Sequence, residues 1–410
     1  MLGTKISAAP LMGTASEISR EIPVQTPDVP KASEKTGSVA IPGRRTLVLT
    51  PSLQSSGGIQ RYTRTLTCAL EEILGSPYVR MIAAGDPQVS RRTGRIKLSA
   101  PARLGFAWRA FCGAVRWRPD LIICTHLSLG PAGWAAKLVT KSPYWIVLHG
   151  IEAWHELPYW KRTALKHADR VIVTSAFSRE QVMRQHKIGS EPISSLPCTL
   201  DEKLLSVAPA RNDRYPQLSN EQRVILTVAR MDASEQYKGH DVVLRALSSV
   251  IGEVANLIYV IVGDGDDRPR LESLAQELGV ANHVVFTGEI NDSELVALYQ
   301  RSELFVLPAR TVVSSPNPKG EGFGIVFLEA MAFGKPVVGP RYGAPAEIIR
   351  DGQNGFLVDP EDPASVAEAL SRLLADPDGA VAMGKAGRNY VRAEYSYGAF
   401  REKLREALAI

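Results

Sequence analysis

The chain has 410 residues, of which 45% are hydrophobic and 22% charged, values typical of a folded globular protein and, at this length, of two domains. It contains no apolar run long enough for a membrane-spanning helix, and its start lacks the pattern of a secretion signal. Its four cysteines have no paired spacing, which argues against a disulfide framework or a zinc site. These observations favour a protein of the reducing cytoplasm.

The charge is distributed unevenly along the chain. Residues 1–200 contain 26 basic and 13 acidic side chains, whereas residues 201–410 contain 22 and 30. The first half is therefore expected to face an anionic partner, although a solvated basic surface would give the same count. Nucleic acid is disfavoured because no recognised nucleic-acid-binding module is present. A membrane surface or a lipid-diphosphate acceptor is the preferred interpretation.

Two series of short apolar runs alternate with helical stretches, a pattern that predicts two doubly wound parallel sheets. Residues 1–43 lack this pattern and are predicted to be a disordered tail. The predicted strands are Arg45–Thr50, Val79–Ala83, Leu121–Cys124, Trp145–Leu148 and Val171–Thr174, then Val224–Val228, Leu257–Val262, His283–Phe286, Leu304–Leu307 and Pro336–Val338. The predicted domains are residues 44–205 and 223–394, joined by a linker at 206–222.

Two motifs of the first half follow predicted strands, where the ligands of parallel sheets bind. Gly57 and Gly58 follow the first strand and open a helix, so the backbone could approach an anion there. A tight turn without a ligand is the alternative. The spacing is not that of a dinucleotide fingerprint, which disfavours an NAD(P) oxidoreductase. His149, after Leu148, could donate a hydrogen bond or handle a proton in a cleft, or could be structural.

Two further motifs lie in the second half. Arg230 and Lys238 share one loop and could neutralise a diphosphate, unless they are ordinary surface charges. Glu321 precedes a glycine-containing helix start at Gly324, and Glu329 lies on the helix. The amides of such a start are free to bind phosphate, and the two carboxylates could accept bonds from sugar and ribose hydroxyls.

The segment Ala102–Trp117 is predicted to be a helix with two different faces, each of which carries large apolar side chains. Leu104, Trp108, Phe111 and Val115 form one face, which is interpreted as core. The nearly opposite face mixes aromatic residues with cations, as interfacial membrane segments do, and is predicted to face an anionic membrane or the acceptor. Its residues are Phe106, Arg109, Arg116 and Trp117. The alternative is that both faces pack and the arginines extend to solvent.

Together these motifs resemble the family 4 retaining glycosyltransferases of the GT-B fold. The resemblance covers about residues 45–410 and rests on Gly57–Gln60, His149-Gly150, Arg230, Lys238–Asp241 and Glu321–Ala332. It implies two Rossmann-like domains facing a deep cleft, with the acceptor in the first and a nucleotide sugar in the second. It also implies retention of the anomeric configuration, no cofactor and no metal. The last helix, within 395–410, is expected to pack back on the first domain.

The resemblance assigns expected roles to particular residues. His149 would lie near the transferred sugar, and Arg230 and Lys238 would hold the diphosphate. Glu321 would bind sugar hydroxyls and Glu329 the ribose. The remaining donor-binding residues are expected to be Gly57, Gly58, Ile290, Phe323, Gly324, Ile325 and Val326.

The sequence departs from the family pattern at two places. The insert between Arg230 and Lys238 is longer than usual, and the segment Arg310–Gly320 before Glu321 is long and rich in proline.

Several functional interpretations remain open. The favoured interpretation is transfer of a hexose from a nucleotide sugar to a glycan or lipid-linked acceptor at the inner face of the cytoplasmic membrane. Mannose from GDP-mannose is the preferred donor sugar. A nucleotide-sugar epimerase or phosphorylase would share the same cleft. A non-catalytic nucleotide-sugar-binding protein would bind the donor without turnover.

Overall fold

A computed structural model describes residues 43–51, 57–85, 100–210, 218, 221–315 and 317–409. Except for Gly43, the predicted tail at residues 1–43 lies outside the described part of the chain. No described helix is both long and apolar enough to cross a bilayer.

The first half of the molecule is built on a six-stranded parallel sheet in the order β2-β1-β3-β4-β5-β6. Its register aligns Val48 of the first strand with Ile123 of the third. Because the central strands are buried on both faces, their sequences are continuous apolar runs rather than alternating ones. The strands are β1 (Thr46–Thr50), β2 (Val79–Ala83), β3 (Leu121–Cys124), β4 (Tyr144–Leu148), β5 (Arg170–Val173) and β6 (Ile193–Ser195).

Helices cover both faces of this first sheet. They are α1 (Gly58–Leu74), α2 (Ala100–Trp117), α3 (Gly130–Thr140), α4 (Tyr159–Lys166), α5 (Ala176–His186) and the short α6 (Glu202–Ser206). Leu66 of α1 shares a core cluster with Val48 of β1. The neighbouring Leu47 and Leu49 point to the other face and pack in the cluster that includes buried residues of α2, α3, α4 and α5. Successive strand residues thus divide the core into two layers.

The second half repeats this architecture. Its six parallel strands have the order β12-β11-β10-β7-β8-β9. They are β7 (Arg223–Val228), β8 (Leu257–Val262), β9 (Val284–Gly288), β10 (Leu304–Val306), β11 (Val337–Pro340) and β12 (Gly355–Val358). The helices are α7 (His240–Val250), α8 (Arg268–Glu277), α9 (Asp292–Arg301), α10 (Ile325–Ala332), α11 (Pro363–Ala375), α12 (Pro377–Glu394) and α13 (Tyr397–Leu408).

The final helix connects the two halves. The ring of Phe400 in α13 meets that of Tyr62 in α1 edge to face, with centroids 5.7 Å apart. Arg44 donates a hydrogen bond of 3.1 Å to the carbonyl of Leu408, and Leu200 donates one of 3.0 Å to the carbonyl of Tyr395. The end of the chain, which follows the second sheet in sequence, therefore packs against the first.

The predicted fold class, two doubly wound parallel sheets, is confirmed. All ten predicted strands are present, three with the predicted bounds and seven with ends that differ by at most two residues. Two strands were missed, β6 and β12. Each lies at an edge of its sheet, and β6 has only three residues, two of them serine, so its sequence lacks the apolar run of a central strand.

Candidate functional site

The two halves touch at loops that leave the carboxyl ends of their sheets. The loop after β4 contains His149 and Gly150, and the loop before α10 contains Gly322. A Cβ atom on Gly322 would lie 2.0 Å from the carbonyl oxygen of His149, and one on Gly150 would lie 2.7 Å from the Cα of Gly322. Gly150 also has a φ of +136°, a conformation that side chains disfavour. The two backbones can approach this closely only because both residues are glycine.

Polar contacts extend this meeting of the halves. The Ser175 hydroxyl, at the start of α5, donates a hydrogen bond of 3.2 Å to the carbonyl of Gly322. The carboxylate of Glu347 accepts bonds from the amides of Ala176 and Phe177, at 2.8 and 2.5 Å. Burial raises the pKa of Glu347, and these two amides counteract the rise. A carboxylate of the second half thus caps a helix of the first, where the helix dipole favours negative charge. Nothing in the sequence alone indicated Glu347.

His149 is held in a defined orientation at the end of β4. Its Nε2 atom lies 2.8 Å from the carbonyl oxygen of Thr125, and its amide donates to Glu152 at 2.5 Å. Since a carbonyl can only accept, Nε2 carries the proton and Nδ1 is unprotonated in the neutral ring. The ring meets Tyr62 edge to face, with centroids 5.2 Å apart. The imidazole is therefore positioned by the residue that follows β3 and by α1.

A second imidazole, which was not predicted from the sequence, lies beside it. His126 follows β3 and stacks on His149, with centroids 6.2 Å apart and an interplanar angle of 18°. Burial lowers the pKa of His126 to about 4, which keeps this ring neutral near pH 7. Its position two residues after a predicted strand was the signal that could have identified it.

The two predicted diphosphate-binding cations, Arg230 and Lys238, are both paired with acidic side chains. Lys238 makes an ion pair with Glu321, and both side chains are mostly buried, at 14% and 16% exposed. Arg230 is 56% exposed and pairs with Glu235 and, at 3.5 Å, with Asp232. Glu235 lies in the electrostatic field of Arg230, Lys238 and Glu321, so these charged side chains are neighbours.

Glu235 comes from the long insert between the two cations. Burial raises its pKa, while Lys238 and Arg230 lower it, which places this carboxylate within the field of both cations. The insert packs against the other unusual segment, because Arg310 donates to the carbonyl of Gln236 at 2.6 Å and pairs with Asp241 at 3.2 Å. Both departures from the family pattern therefore meet in one substructure beside Lys238.

Glu329 is more deeply buried than Arg230, Lys238 and Glu321. It is 2% exposed, and its carboxylate pairs closely with Arg61 of α1 and accepts a 3.0 Å hydrogen bond from the Tyr299 hydroxyl. Arg61 also lies 3.6 Å from Asp201, at the start of α6. Burial raises the pKa of Glu329, and Arg61 is the main group that lowers it. The carboxylate predicted to bind ribose is thus paired across the two halves.

The remaining predicted donor residues surround the same loop. Phe323 is buried against Tyr395, with ring centroids 5.9 Å apart. Gly324 has a φ of +99° and begins α10, whose first residues, Ile325 and Val326, are half-buried. A Cβ on Gly58 would lie 3.4 Å from the Cδ1 of Ile325, so the start of α1 faces the start of α10. Gly57, the residue before α1, is exposed, and Ile290 is half-buried after β9.

The prediction for the two faces of α2 was wrong. Leu104, Trp108 and Val115, interpreted as core, are 73%, 67% and 42% exposed, whereas Phe106, interpreted as a membrane contact, is 3% exposed. Trp117 is half-buried under the guanidinium of Arg80.

The other two residues predicted for this face, Arg109 and Arg116, are exposed at its edge. The small residues Ala110, Gly113 and Ala114 decide which face packs. A Cβ on Gly113 would lie 2.6 Å from the Cδ1 of Ile82, so this side approaches the sheet closely.

The chemistry of the site follows from these groups. In the described residues, no group of three or more His, Cys, Asp and Glu side chains could hold a metal ion. A surface cavity of about 450 Å³ lies between β12, α11 and α12, and none of the predicted residues lines it. The meeting point of the halves instead combines two cations, a helix start and an oriented imidazole. Such a set can bind an anionic group and stabilise negative charge that develops on it.

Two family models match the chain. The model described as Glycosyltransferase Family 4 matches residues 56–204, and the model described as Glycosyl transferases group 1 matches residues 210–390.

Curated relatives include two kinds of enzyme. The chain is 34% identical over 268 residues to the GDP-mannose-dependent alpha-(1-6)-phosphatidylinositol monomannoside mannosyltransferase of Mycolicibacterium smegmatis, a match that covers 64% of this chain and 68% of that relative. The enzyme of the same name from Mycobacterium tuberculosis is 40% identical over 171 residues, which span 42% of this chain and 44% of the relative. D-inositol 3-phosphate glycosyltransferase of Corynebacterium jeikeium is 32% identical over 319 residues, with 72% and 73% covered.

Solved structures share the architecture. Sucrose-phosphate synthase from Thermosynechococcus elongatus superposes with a TM-score of 0.70 at 23% identity, covering 89% of this chain and 98% of that chain. HepE from Anabaena in complex with UDP gives a TM-score of 0.68 at 18% identity, with 89% and 99% covered. At such identities the likeness concerns the fold.

Proposed function

This chain belongs to the family 4 glycosyltransferases and has their GT-B fold, and from that premise we propose that it transfers mannose from GDP-mannose to a lipid-linked or glycan acceptor. The choice of donor is supported by the mannosyltransferases among its relatives, whose names specify GDP-mannose and a phosphatidylinositol mannoside. The acceptor is accordingly proposed to be a glycolipid, in glycolipid or polysaccharide biosynthesis.

The observation that carries this proposal is the contact of His149 and Gly150 with Gly322, next to the paired charges of Lys238 and Glu321. In the proposed reaction, Arg230, Lys238 and the first amides of α10 hold the diphosphate and stabilise the departing nucleotide. Glu321 exchanges its bond to Lys238 for bonds to sugar hydroxyls. The bond between the anomeric carbon and the diphosphate oxygen breaks, and the acceptor hydroxyl attacks that carbon from the face that the diphosphate leaves. Its proton passes to the departing diphosphate, GDP is released, and the anomeric configuration is retained. No metal takes part in the transfer.

We further propose that the protein acts in the cytoplasm, at the inner face of the membrane that carries its acceptor. The excess of basic residues in the first half supports this placement, because an anionic bilayer attracts such a surface.

A donor panel tests the proposal directly. GDP-mannose, UDP-glucose and UDP-galactose are each added to the full chain, and the thermal midpoint is measured. GDP-mannose should stabilise the protein most, by about 2.7 kcal/mol at a concentration 100 times its Kd. With phosphatidylinositol mannoside as acceptor, NMR of the product should show an α-linked mannose, and EDTA should leave the rate unchanged.

Other outcomes of this panel contradict particular parts of the proposal. If a UDP-sugar stabilises the protein more than GDP-mannose does, the proposed donor is wrong. Conversion of the donor without acceptor indicates an epimerase or phosphorylase, and binding without turnover in the presence of acceptors indicates a sugar-nucleotide sensor. A β-linked product overturns retention.

The role of Lys238 can be tested separately. Lys238→Ala should reduce kcat/KM by a factor that corresponds to about 2–4 kcal/mol, because it removes a cation that stabilises the leaving diphosphate. Lys385→Ala, at an exposed position on α12, is the matched control and should behave like the parent. Parental turnover of Lys238→Ala would remove this residue from the mechanism.

A further inference from the structure

Exposed apolar side chains are concentrated on one part of the first half. Of the eleven large apolar residues that are exposed in the described chain, seven lie on the three helices α2, α3 and α4. We call them the α2–α4 surface: Leu104, Trp108, Val115, Leu138, Val139, Tyr159 and Trp160. Single exposed apolar residues are ordinary, but a concentration on neighbouring elements marks an interaction surface.

The three helices lie side by side in the same layer. α3 packs against α2 on one side and α4 on the other, and all three cover the same face of the first sheet. On α2, Leu104, Trp108 and Val115 fall within one narrow arc at 100° per residue, and Trp108 stacks on Phe111. Arg109 and Arg116 are exposed on one flank of the helix, roughly 100–120° from the middle of this arc. The guanidinium of Arg109 donates to the carbonyls of Ala83 and Ala84, at 3.0 and 3.2 Å. The outward strip is therefore apolar at its centre and cationic at its border.

The charge of these helices has a single sign. Their sequences contain three, one and three Lys or Arg residues, respectively, and no Asp or Glu. The acidic residues that follow α2 and α4, Asp120 and Asp169, are paired with Arg45 and Lys137. The nearest acidic residue before α4 is the exposed Glu156, which lies outside the helix. A partner that fits this surface must accept apolar side chains and supply negative charge.

We propose that the α2–α4 surface docks on an anionic lipid bilayer, with its aromatic and aliphatic side chains among the lipid chains and its cations at the headgroups. Tryptophan and tyrosine prefer the boundary between headgroups and chains, and Lys and Arg attract anionic lipids. An anionic protein partner would satisfy the charges but would need a matching apolar face, whereas a bilayer supplies both over the whole area.

The position of the surface relative to the site supports this partner. Tyr159 and Trp160 begin α4, which follows the loop of His149 and Gly150. Helices that connect parallel strands begin at the carboxyl edge of the sheet, so this aromatic pair lies on the edge where the two halves meet. Docking through it would bring the cleft close to the bilayer. The relevance to a lipid-linked acceptor rests on the proposed function, whereas the binding itself does not.

Vesicle co-sedimentation of the full chain tests the proposal. The parent should bind vesicles that contain phosphatidylglycerol and bind pure phosphatidylcholine weakly. Leu104→Ser/Trp108→Ser and, separately, Trp160→Ser should weaken binding by roughly tenfold or more, since each removes a large apolar contact. Arg116→Glu/Arg162→Glu should abolish the preference for anionic lipid. Val381→Ser and Lys385→Glu change an exposed apolar residue and an exposed cation on α12 and should bind like the parent.

Three further measurements separate lipid binding from folding and from donor binding. Circular dichroism and the thermal shift with GDP-mannose report whether a variant is folded and binds donor, so a failure of the proposed function is seen independently of lipid binding. Brominated lipids should quench tryptophan fluorescence of the parent and quench it less in Leu104→Ser/Trp108→Ser. Equal vesicle binding by the parent and these variants would overturn the proposal. So would a parent that dimerises through this surface and becomes monomeric in the same variant.

Discussion

At the scale of single residues, the charged groups predicted to bind the donor all have protein partners. Lys238 pairs with Glu321, Arg230 with Glu235, and Glu329 with Arg61. Charges removed from water need such partners, because desolvation otherwise costs several kcal/mol. A ligand that enters must therefore exchange bonds rather than fill vacant ones.

Arg61 gives the sharpest residue-scale prediction. In Arg61→Gln the buried carboxylate of Glu329 loses its counter-charge, so its pKa should rise further above the ordinary value of 4.5. The folded state then binds the proton more tightly than the unfolded chain. The variant's free energy of unfolding should consequently fall as the pH rises from about 4.5 through this raised pKa.

The measurement is urea unfolding of parent and variant at about pH 5 and about pH 8. At the higher pH we expect the variant's free energy of unfolding to be about 3 kcal/mol below that of the parent. This value is near the lower limit for breaking a buried ion pair, because Arg61 is partly exposed. At the lower pH the difference should be smaller. Arg392→Gln, at an exposed arginine on α12, is the control. A deficit that is equal at both pH values would show that Glu329 is not the group left unpaired.

At the scale of elements, two loops decide how closely the halves approach. The contact of Gly322 with the His149 carbonyl leaves no room for a methyl group. Gly322→Ala should therefore separate the loops and misplace the imidazole relative to Lys238. A displacement of about 1 Å can cost about 100-fold in rate, so we expect kcat/KM to fall by that order.

The control for this variant is Gly189→Ala. A Cβ on Gly189 would meet nothing within 4 Å, and its backbone is not among those with positive φ. Steady-state kinetics with the preferred donor distinguish the two variants, and thermal melting checks that both are folded. Parental kcat/KM in Gly322→Ala would mean that the closed contact is not needed for the reaction.

Helix α2 shows why periodicity alone could not orient an element. Both of its faces carry large apolar side chains, and Leu104 and Trp108 were interpreted as core. The helix instead packs on the sheet with the side that carries Ala110, Gly113 and Ala114, because small residues allow it to approach the strands. The pattern of small residues was visible in the sequence and is the better indicator at such a helix.

At the scale of the whole molecule, one core runs through both halves. A single cluster joins Val48 and Tyr62 of the first half with Val224 and Phe327 of the second, and Phe400 of α13 belongs to it. The end of the chain thus stabilises the beginning.

Phe400→Ala tests this coupling. Phe400 is 3% exposed, and its removal should lower the free energy of unfolding by about 3–5 kcal/mol through lost burial and the cavity left behind. Because the ring packs on Tyr62, we expect hydrogen exchange to accelerate in α1 as well as in α13. Val381→Ala, an exposed apolar truncation on α12, is the control. Acceleration confined to α13 would contradict the coupling.

What could be predicted from the sequence was local. Apolar runs of strand length, and the glycines that follow them, are patterns of consecutive residues. The amino-acid sequence alone therefore predicts the strands of the parallel sheets and the loops that contain Gly57, His149, Lys238 and Glu321. The roles given to these residues stay predictions. Their chemistry was indicated by residue type and spacing, which do not depend on how distant parts of the chain meet.

Only the tertiary structure decided which distant groups become neighbours. Arg61 and Glu329 are 268 positions apart, and Glu347 caps a helix 171 residues earlier in the chain. His126 stacks on His149 because β3 and β4 are adjacent in the sheet. The side of α2 that faces solvent is likewise determined by which of its side chains pack on the sheet. Such pairings are set by packing and by the cost of leaving buried charge unpaired, and both are properties of the assembled chain.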